Sequence, residues 1–281
     1  MSDVDVIVLD IDGGAMLAAC LESLRAQTLA PRQIIVFDNG SRVATRVDGT
    51  DGTRRTDGRN ETPIGPIGPI VLLRSDTNLG FTGGVNAAFR QVTAPFVALV
   101  NNDVILDRDW LQQVREAMDR DPRLAAVQTI IRREDGLIDG AGIEIGDGTF
   151  RQIGHGSPVG TPLAVAWGVS ATAALYRVAP LGARVFDPSF FAYYEDVELC
   201  ARLRRDGWRI TVLPVVKATH RGSQTASILG REALRLRTRN RYRVAKLHRG
   251  VGSICALLWE DLKLALRGRT SVRGMIQGLF A

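Results

Sequence analysis

The sequence predicts an α/β fold: a mixed, mostly parallel central sheet flanked by helices, followed by a basic, mostly helical C-terminal extension. Three observations carry this. Short apolar runs of strand length alternate with amphipathic helical patterns through the first half of the chain. Two of these runs close on polar clusters, Asp38-Asn39-Gly40-Ser41 and Asn101-Asn102-Asp103, as expected at the carboxyl ends of parallel strands. At 281 residues and 45% hydrophobic content, the chain is long enough to bury a sizeable core.

The elements follow in order. Val4 to Leu9 reads as a buried strand, Met16, Leu17, Cys20, Leu21 and Leu24 form one helical face, and Gln33 to Phe37 is a second strand, completing a βαβ unit. Residues 42–69, rich in Gly, Thr, Asp and Arg, read as a long mobile loop without a core of its own. Ile70 to Leu73 resumes as a strand, Gly83 to Gln91 as a helix, Phe96 to Val100 as a strand and Trp110 to Met118 as a helix. Asp121-Pro122 turns the chain into the strand Ala125 to Ile131, and Gly136 to Gly156 reads as a hairpin region. Val197, Cys200, Ala201 and Leu203 recur at helical spacing until Gly207, and Ile210 to Val216 is a strand. In Arg235 to Arg243 an Arg at every second position suits an edge strand as well as a helix; helix is favoured by the surrounding pattern. The expected division is one domain over residues 1–225 and an appendage over 226–281.

Composition narrows the function classes. Asp3, Asp5, Asp10 and Asp12 surround the first apolar run, which therefore lacks the basic start of a secretory signal, and no apolar stretch reaches bilayer length. Cys20, Cys200 and Cys255 are odd in number and lie in apolar patterns, as reduced, buried thiols do. A cytoplasmic location follows, with peripheral attachment at the inner face of the plasma membrane. That attachment is read from the charge, which is +6 overall but unevenly placed: residues 231–273 hold twelve Lys or Arg against Glu232, Glu260 and Asp261. Such a segment suits an anionic membrane surface, with Leu257, Leu258, Leu262, Ala265 and Leu266 as an apolar face beside Lys263 and Arg267. Packing on the core or on a second subunit of a homodimer is the alternative.

The chemistry is concentrated in a few places. Glu195-Asp196 stands where the aromatic run from Phe190 meets a helix, and the unpaired N–H groups and macrodipole of a helix start favour the ionised carboxylate. Such an acid is either a general base or an N-cap. Asp38 suits a contact to a base or ribose, or an Asx-turn. Asn78 to Asn86 enters a helix through Gly80, Gly83 and Gly84, where backbone approaches a phosphate or sugar closely. Asp103 suits a divalent ion gripping a diphosphate, since Mg²⁺ needs few protein ligands; His220, just after a strand, would tilt the preference to Mn²⁺.

The order of these motifs resembles glycosyltransferase family 2, whose members share the GT-A fold, and within it the bacterial rhamnosyltransferase-like enzymes of cell-surface glycan synthesis. The matching stretches are Cys20 to Leu24, Asp38 to Ser41, Asn78-Leu79-Gly80-Phe81 with Asn86, Asn101 to Asp103, and Tyr193 to Cys200 through Gly207-Trp208, with His220 as the late histidine. The resemblance implies an inverting, metal-dependent transfer of a sugar from a nucleotide-diphosphate donor to a saccharide or lipid-linked acceptor. It makes Asp196 the general base and Glu195 the residue that orients it. Asp10, Asp38, Asn78, Gly80, Asn86, Asn102 and Asp103 would form the nucleotide-sugar site, Trp167 and Gly168 would line the acceptor side, and Asp103 with His220 would hold Mn²⁺ or Mg²⁺. Asp10-Ile11-Asp12 stands where the family has Thr-Tyr-Asn.

Two rivals follow from other observations. A single carboxylate in Asn101-Asn102-Asp103 suits a sugar-nucleotide binder without catalysis. The basic tail suits nucleic acid, but it offers only Tyr242 and Trp259 for stacking, so nucleic acid is disfavoured as a partner. A dinucleotide oxidoreductase is disfavoured further by the lack of Gly-x-Gly-x-x-Gly after the first strand.

Overall fold

A computed structural model describes residues 2–47, 54–55, 61–64, 67–145, 150–222, 229–248, 251–265 and 270–280. Its centre is β1 (Val4–Asp10), lying between two parallel neighbours, β2 (Gln33–Asn39) and β6 (Phe96–Asn101). Val4, Val6 and Val8 face a core built with α1 (Ala15–Arg25) and α3 (Trp110–Arg120). Ile7 faces the opposite core, built with α2 (Gly80–Phe89) and α4 (Glu195–Arg205). With both faces covered, the strands carry no polar alternation, so they stand out as unbroken apolar runs. Of the two acids in β1, Asp5 is fully buried; Arg32 Nε donates to it at 2.9 Å, and the Thr93 and Ala94 amides donate to its other oxygen.

Among the described residues the sheet continues from β2 to β5 (Ile67–Ser75) and β3 (Arg54–Arg55). On the other side it runs from β6 through β12 (Ala173–Arg177), β8 (Leu124–Arg133) and β13 (Arg209–His220) to β7 (Val104–Leu106). β4 (Glu61–Ile64) pairs with β5, β9 (Ile138–Gly140) pairs with β8, and β10 (Ile143–Ile145) forms a hairpin with β11 (Phe150–Gln152). The left half is mainly parallel; β12 and β7 run antiparallel to their neighbours. The mixed, mostly parallel sheet expected from the sequence is thus present.

Several boundaries differ from expectation. The helix expected from Gly83 begins at Gly80, where φ is +74° and an added Cβ would lie 2.3 Å from the Phe191 carbonyl oxygen. Only glycine fits there, and the close approach seats the aromatic run against the start of α2. The strand expected to end at Val216 extends to His220, because β7, a strand too short to show in the sequence, pairs with its far end. The start of the 42–69 segment is not a free loop: Thr45 and Val47 are buried, and β3, β4 and the start of β5 lie within the segment. Residues 48–53, 56–60 and 65–66 of that segment lie outside the described residues.

The C-terminal helices are α5 (Arg231–His248), α6 (Val251–Ala265) and α7 (Val272–Phe280). Val244 of α5 joins Phe190, Val197 and Ile143 in one buried cluster, and Tyr242, Ala245, Leu257 and Met275 tie the three helices together. The expected apolar face of α6 is divided: Leu257 is buried and Leu258 packs beside it, whereas Trp259 and Leu262 are exposed. Ala265's side chain, Leu266 and Arg267 lie outside the described residues. Cys20 and Cys200 are buried as expected, but Cys255 is exposed. No helix of the described residues is long and apolar enough to cross a membrane.

Candidate active site

Strand register brings the polar ends together. Leu9 is level with Asn101 across β1 and β6, and Val104 is level with His220 across β7 and β13. The second pairing sets His220 Nε2 3.2 Å from Asp103 Oδ2, although the two residues are far apart in sequence. On the far side of the ring, Nδ1 lies 2.9 Å from Asp139 Oδ2. Burial opposes the charge on this imidazole, but the carboxylates of Asp103 and Asp139 outweigh it and raise the His220 pKa to about 10.

Asp103 and His220 open on a cavity of about 680 Å³ that also receives Asn102, Glu195 and Asp196. Opposite walls come from Phe150, Arg151, Gln152 and His155 around the β10–β11 hairpin, and from Tyr193, Tyr194 and Arg237. The cavity therefore combines acids, an imidazole, aromatic surface and cationic side chains, which is the equipment for a polar, hydroxyl-rich ligand bearing negative charge.

The acids enter it from a strained turn. Tyr193 and Tyr194 both adopt φ +70°, a left-handed conformation that costs a bulky residue about 1–2 kcal/mol. Tyr194 caps α4, and its carbonyl accepts the first helical bond, from the Glu198 amide, at 3.0 Å. Asp196 Oδ1 accepts from its neighbour Val197 N at 2.8 Å, and the Ala171 amide also donates to this carboxylate. Glu195 is buried, and its Oε2 has no hydrogen-bond partner among the described residues. Contrary to the expectation of acids held ionised by the helix start, burial raises the pKa of both carboxyls; for Glu195 the negative charge of Asp196 adds to the rise. Desolvation wins because Glu195 is buried and Asp196 half-buried in the cavity wall, where a few amide dipoles do not replace lost water.

Of the residues expected to form the site, Asn102, Asp103, Glu195, Asp196 and His220 line the cavity; the other seven do not. Asp38 is fully buried: Oδ1 accepts from Ser41 N at 2.8 Å, and Oδ2 accepts from Thr45 N at 3.0 Å and Arg74 Nη1 at 2.6 Å. Both of its oxygens are engaged in an Asx-type turn and an ion pair, and its side chain does not line the cavity. Asp10 is equally enclosed, accepting from Asn102 Nδ2 and Thr45 Oγ1 at 2.7 Å each, with burial raising its pKa. It orients Asn102 rather than reaching the ligand space. Asn78 Oδ1 accepts from Gly80 N at 2.8 Å at the start of α2, and Gly80 itself is packed under Phe191. Asn86 clamps a distant loop, accepting from Val185 and Phe186 amides and donating to the Phe186 carbonyl. Trp167 and Gly168 stand behind the wall: the Trp167 ring lies 5.5 Å from that of Phe150, which does face the cavity, and Gly168 packs on Cys200.

The sequence reading missed Asp139, Thr45, Arg74, Arg151, His155, Arg237 and Asn240. None stands in a recognisable motif, and each meets its partner only through folding; for Asp139 and His220, the pairing of β9 with β8 and of β8 with β13 supplies the contact.

Whether this site suits a divalent ion can be read from its donors. Among the described residues no group of three His, Cys, Asp or Glu side chains surrounds a common point. Yet Asp103 Oδ1 is buried without a hydrogen-bond partner among the described residues, His220 Nε2 faces Asp103 Oδ2 at 3.2 Å, where a bound ion would displace the proton the two share, and Asp139 already fixes the other ring nitrogen. One carboxylate, one oriented imidazole and an open side toward the cavity fit an ion whose remaining ligands come from water and phosphate.

Known proteins share the fold that carries this site. The model of the family described as "Glycosyl transferase family 2" matches residues 6–181. An N-acetylglucosaminyl-diphospho-decaprenol L-rhamnosyltransferase of Mycobacterium tuberculosis (strain ATCC 25618 / H37Rv) is 25% identical over 250 residues, covering 78% of this chain and 76% of that protein. The uncharacterized protein y4gI of Sinorhizobium fredii is 27% identical over 235 residues; the match takes in 78% of this chain and only 24% of that longer protein. Among solved structures, the mannosyltransferase PcManGT from Pyrobaculum calidifontis, in complex with GDP-Man and Mn²⁺, superimposes with a TM-score of 0.59 at 18% identity, covering 97% of this chain and 77% of that one. Staphylococcus aureus TarS 1-349 in complex with UDP-GlcNAc gives 0.55 at 16% identity, covering 90% of this chain and 70% of that one. These structures share the GT-A fold of this chain, and the family match extends from β1 to just beyond β12, so the chain belongs to glycosyltransferase family 2.

Proposed function

We propose that the protein transfers a sugar, with inversion, from a nucleotide-diphosphate donor to a hydroxyl of a saccharide or lipid-linked acceptor, using Asp196 as general base. The observation that carries the reading is the convergence of Asp103 and His220 with Glu195 and Asp196 on one cavity. The base takes the proton of the acceptor hydroxyl, whose oxygen attacks the anomeric carbon as the bond from that carbon to the diphosphate oxygen breaks. Burial favours this role, because a carboxylate with a raised pKa binds the departing proton more strongly than a solvated one. Glu195 stands beside it as the orienting acid. A divalent ion, Mn²⁺ or Mg²⁺, would be held by Asp103 and His220, and when bound it offsets the charge of the leaving diphosphate. The rhamnosyltransferase and the nucleotide-sugar complexes among similar proteins support the donor class and the lipid-linked acceptor.

A thermal-shift panel of UDP-, GDP- and dTDP-linked sugars, with and without Mn²⁺, tests the reading. At a ligand concentration about 100 times Kd, stabilisation is about 2.7 kcal/mol, a rise of several degrees. The expected result is a shift for one nucleotide class that grows with Mn²⁺. A flat panel overturns the donor assignment, and binding without transfer across an acceptor series selects the inactive-binder alternative.

The same reading extends to an anionic membrane surface, where a lipid-linked acceptor resides. Trp259 and Leu262 on α6, and Val272, Ile276 and Phe280 at four-residue spacing on α7, are exposed, with the Lys263 ammonium 5.0 Å from the Trp259 ring centre. Such aromatic and aliphatic groups beside a cation suit the headgroup boundary. Part of the basic charge turns inward: Arg241 pairs with buried Asp261, and Arg243 donates to the Ser189 carbonyl. That depletes the surface a nucleic acid would need. Sedimentation with phosphatidylglycerol vesicles is expected to retain the protein, with loss of retention in Trp259→Ser/Phe280→Ser; equal binding of both proteins retires the membrane contact.

A further inference from the structure

We propose that Asn240, on the C-terminal helix α5, is a positioning residue for sugar transfer: its side-chain amide holds the Ala192–Tyr194 turn in the conformation that presents Glu195 and Asp196 to the cavity. The inference rests on the reading of Asp196 as base.

Asn240 is completely buried, and its Nδ2 donates to the carbonyls of Ala192 and Tyr193, both at 2.8 Å. Carbonyls of successive residues in an extended chain point apart, so one amide reaches both only where the backbone curls, as it does at Tyr193 and Tyr194 with φ +70°. The orientation of the amide is fixed in turn, since Oδ1 accepts from Arg239 Nε at 2.9 Å. Both hydrogens and the oxygen are therefore assigned, and reversing the amide would set its oxygen against two carbonyls.

Helix α5 grips the same segment at other points. Arg243 Nη1 donates to the Ser189 carbonyl at 2.9 Å, Val244 packs with Phe190 and Val197, and the Arg237 guanidinium lies 4.4 Å from the Tyr193 ring centre. The grip thus spans both sides of the acidic pair. A poor helix former placed at a fully buried helical position destabilises α5 unless its amide has partners to satisfy, and the partners it has are the turn. Left-handed aromatic residues persist only where surroundings over-determine them, and they cluster where geometry serves chemistry. Since Tyr194 also provides the first carbonyl of α4, relaxation at Tyr193 or Tyr194 would turn the start of that helix and swing both carboxyls with it.

The test uses the full chain. Asn240→Ala removes the donor, and Asn240→Asp keeps the shape while placing an oxygen against the carbonyls. Expected for both is a transfer kcat lowered at least 30-fold, with donor KM and Mn²⁺-dependent donor binding within 3-fold of wild type. Hydrogen exchange across residues 189–197 should accelerate at least 10-fold, while peptides from β1 and β6 keep their protection. A merely structural contact would lower stability without this split. Wild-type kcat, or unchanged exchange over 189–197 in a folded variant, overturns the proposal, as does a loss spread equally over donor binding and turnover. If neither Asn240 variant folds, Arg243→Gln decides: faster exchange at 189–194 with reduced kcat and normal donor binding supports the grip, and no change in either removes it. Should Asp196→Asn retain full turnover, the base assignment fails separately, while exchange still reports whether α5 holds the turn.

Discussion

Asp196→Asn is expected to lower transfer about 10³-fold, within the range general-base catalysis supplies, while leaving nucleotide-sugar binding intact. It is also expected to raise the melting temperature at neutral pH. Burial raises the pKa of Asp196 and of Glu195, so the folded state binds protons more tightly than the unfolded chain. The stability contributed by these protonated carboxyls is fully present below the ordinary carboxylate range and is lost as pH rises through their elevated folded values. Asparagine at 196 removes one buried charge, together with the repulsion it exerts on Glu195, so the variant should lose less stability across that window than wild type. The wild-type rate should rise with pH along a limb displaced above the ordinary aspartate range, because the base must be unprotonated. Paired calorimetric scans and initial rates from pH 4 to 9 read both effects. Near-normal turnover in the variant ends the assignment of Asp196, and a fall in its melting temperature shows the carboxylate to be a net stabiliser, against the burial argument.

The second large effect is expected at Asp103. Asp103→Asn should abolish the Mn²⁺-dependent part of donor stabilisation and reduce transfer about 10³-fold, with chelation of the wild type giving a comparable, reversible loss. The reason is that Asp103 supplies the carboxylate of the pair facing the cavity, with a buried Oδ1 that no donor satisfies among the described residues. Asp139→Ala should act more mildly, weakening Mn²⁺ about 10- to 100-fold, since it orients the His220 ring without facing the ion. Isothermal titration of Mn²⁺ in the presence of a fixed nucleotide sugar measures both. Full activity in chelator, or equal Mn²⁺ response in wild type and Asp103→Asn, overturns the roles given to Asp103 and His220.

The parts of the site legible in the sequence share a physical property: their chemistry lies next to an element whose pattern is local. Glu195-Asp196 begins an amphipathic helix, and Asn102-Asp103 follows an apolar strand, so both could be placed at element ends before any packing was known. Asp38 shows the limit of that reasoning. Its position at a strand end is as expected, but whether its oxygens face a ligand or the backbone depended on Thr45 and Arg74, which approach from other segments. Asn86 and Trp167 show the same limit; each lies near the site in sequence pattern, and in space its side chain is engaged by neighbouring segments outside the cavity lining. The basic tail is a further case, because a charge count cannot tell an arginine that faces solvent from one that donates to Ser189 or pairs with Asp261.

By itself the sequence determined the alternating α/β layers, the family, and the presence of acids at one helix start and one strand end. These follow from short-range periodicity, since a strand buried on both faces must be apolar throughout and a helix with one buried face must repeat near 3.6 residues. Only the tertiary structure decided which acids share a cavity, that His220 stands between Asp103 and Asp139, that burial outweighs the helix start at Glu195 and Asp196, and that a residue of the last third of the chain, Asn240, holds their turn. Hydrogen bonds, desolvation and contact between segments dozens of residues apart depend on distances that exist only once the sheet has set its register and the C-terminal helices have docked.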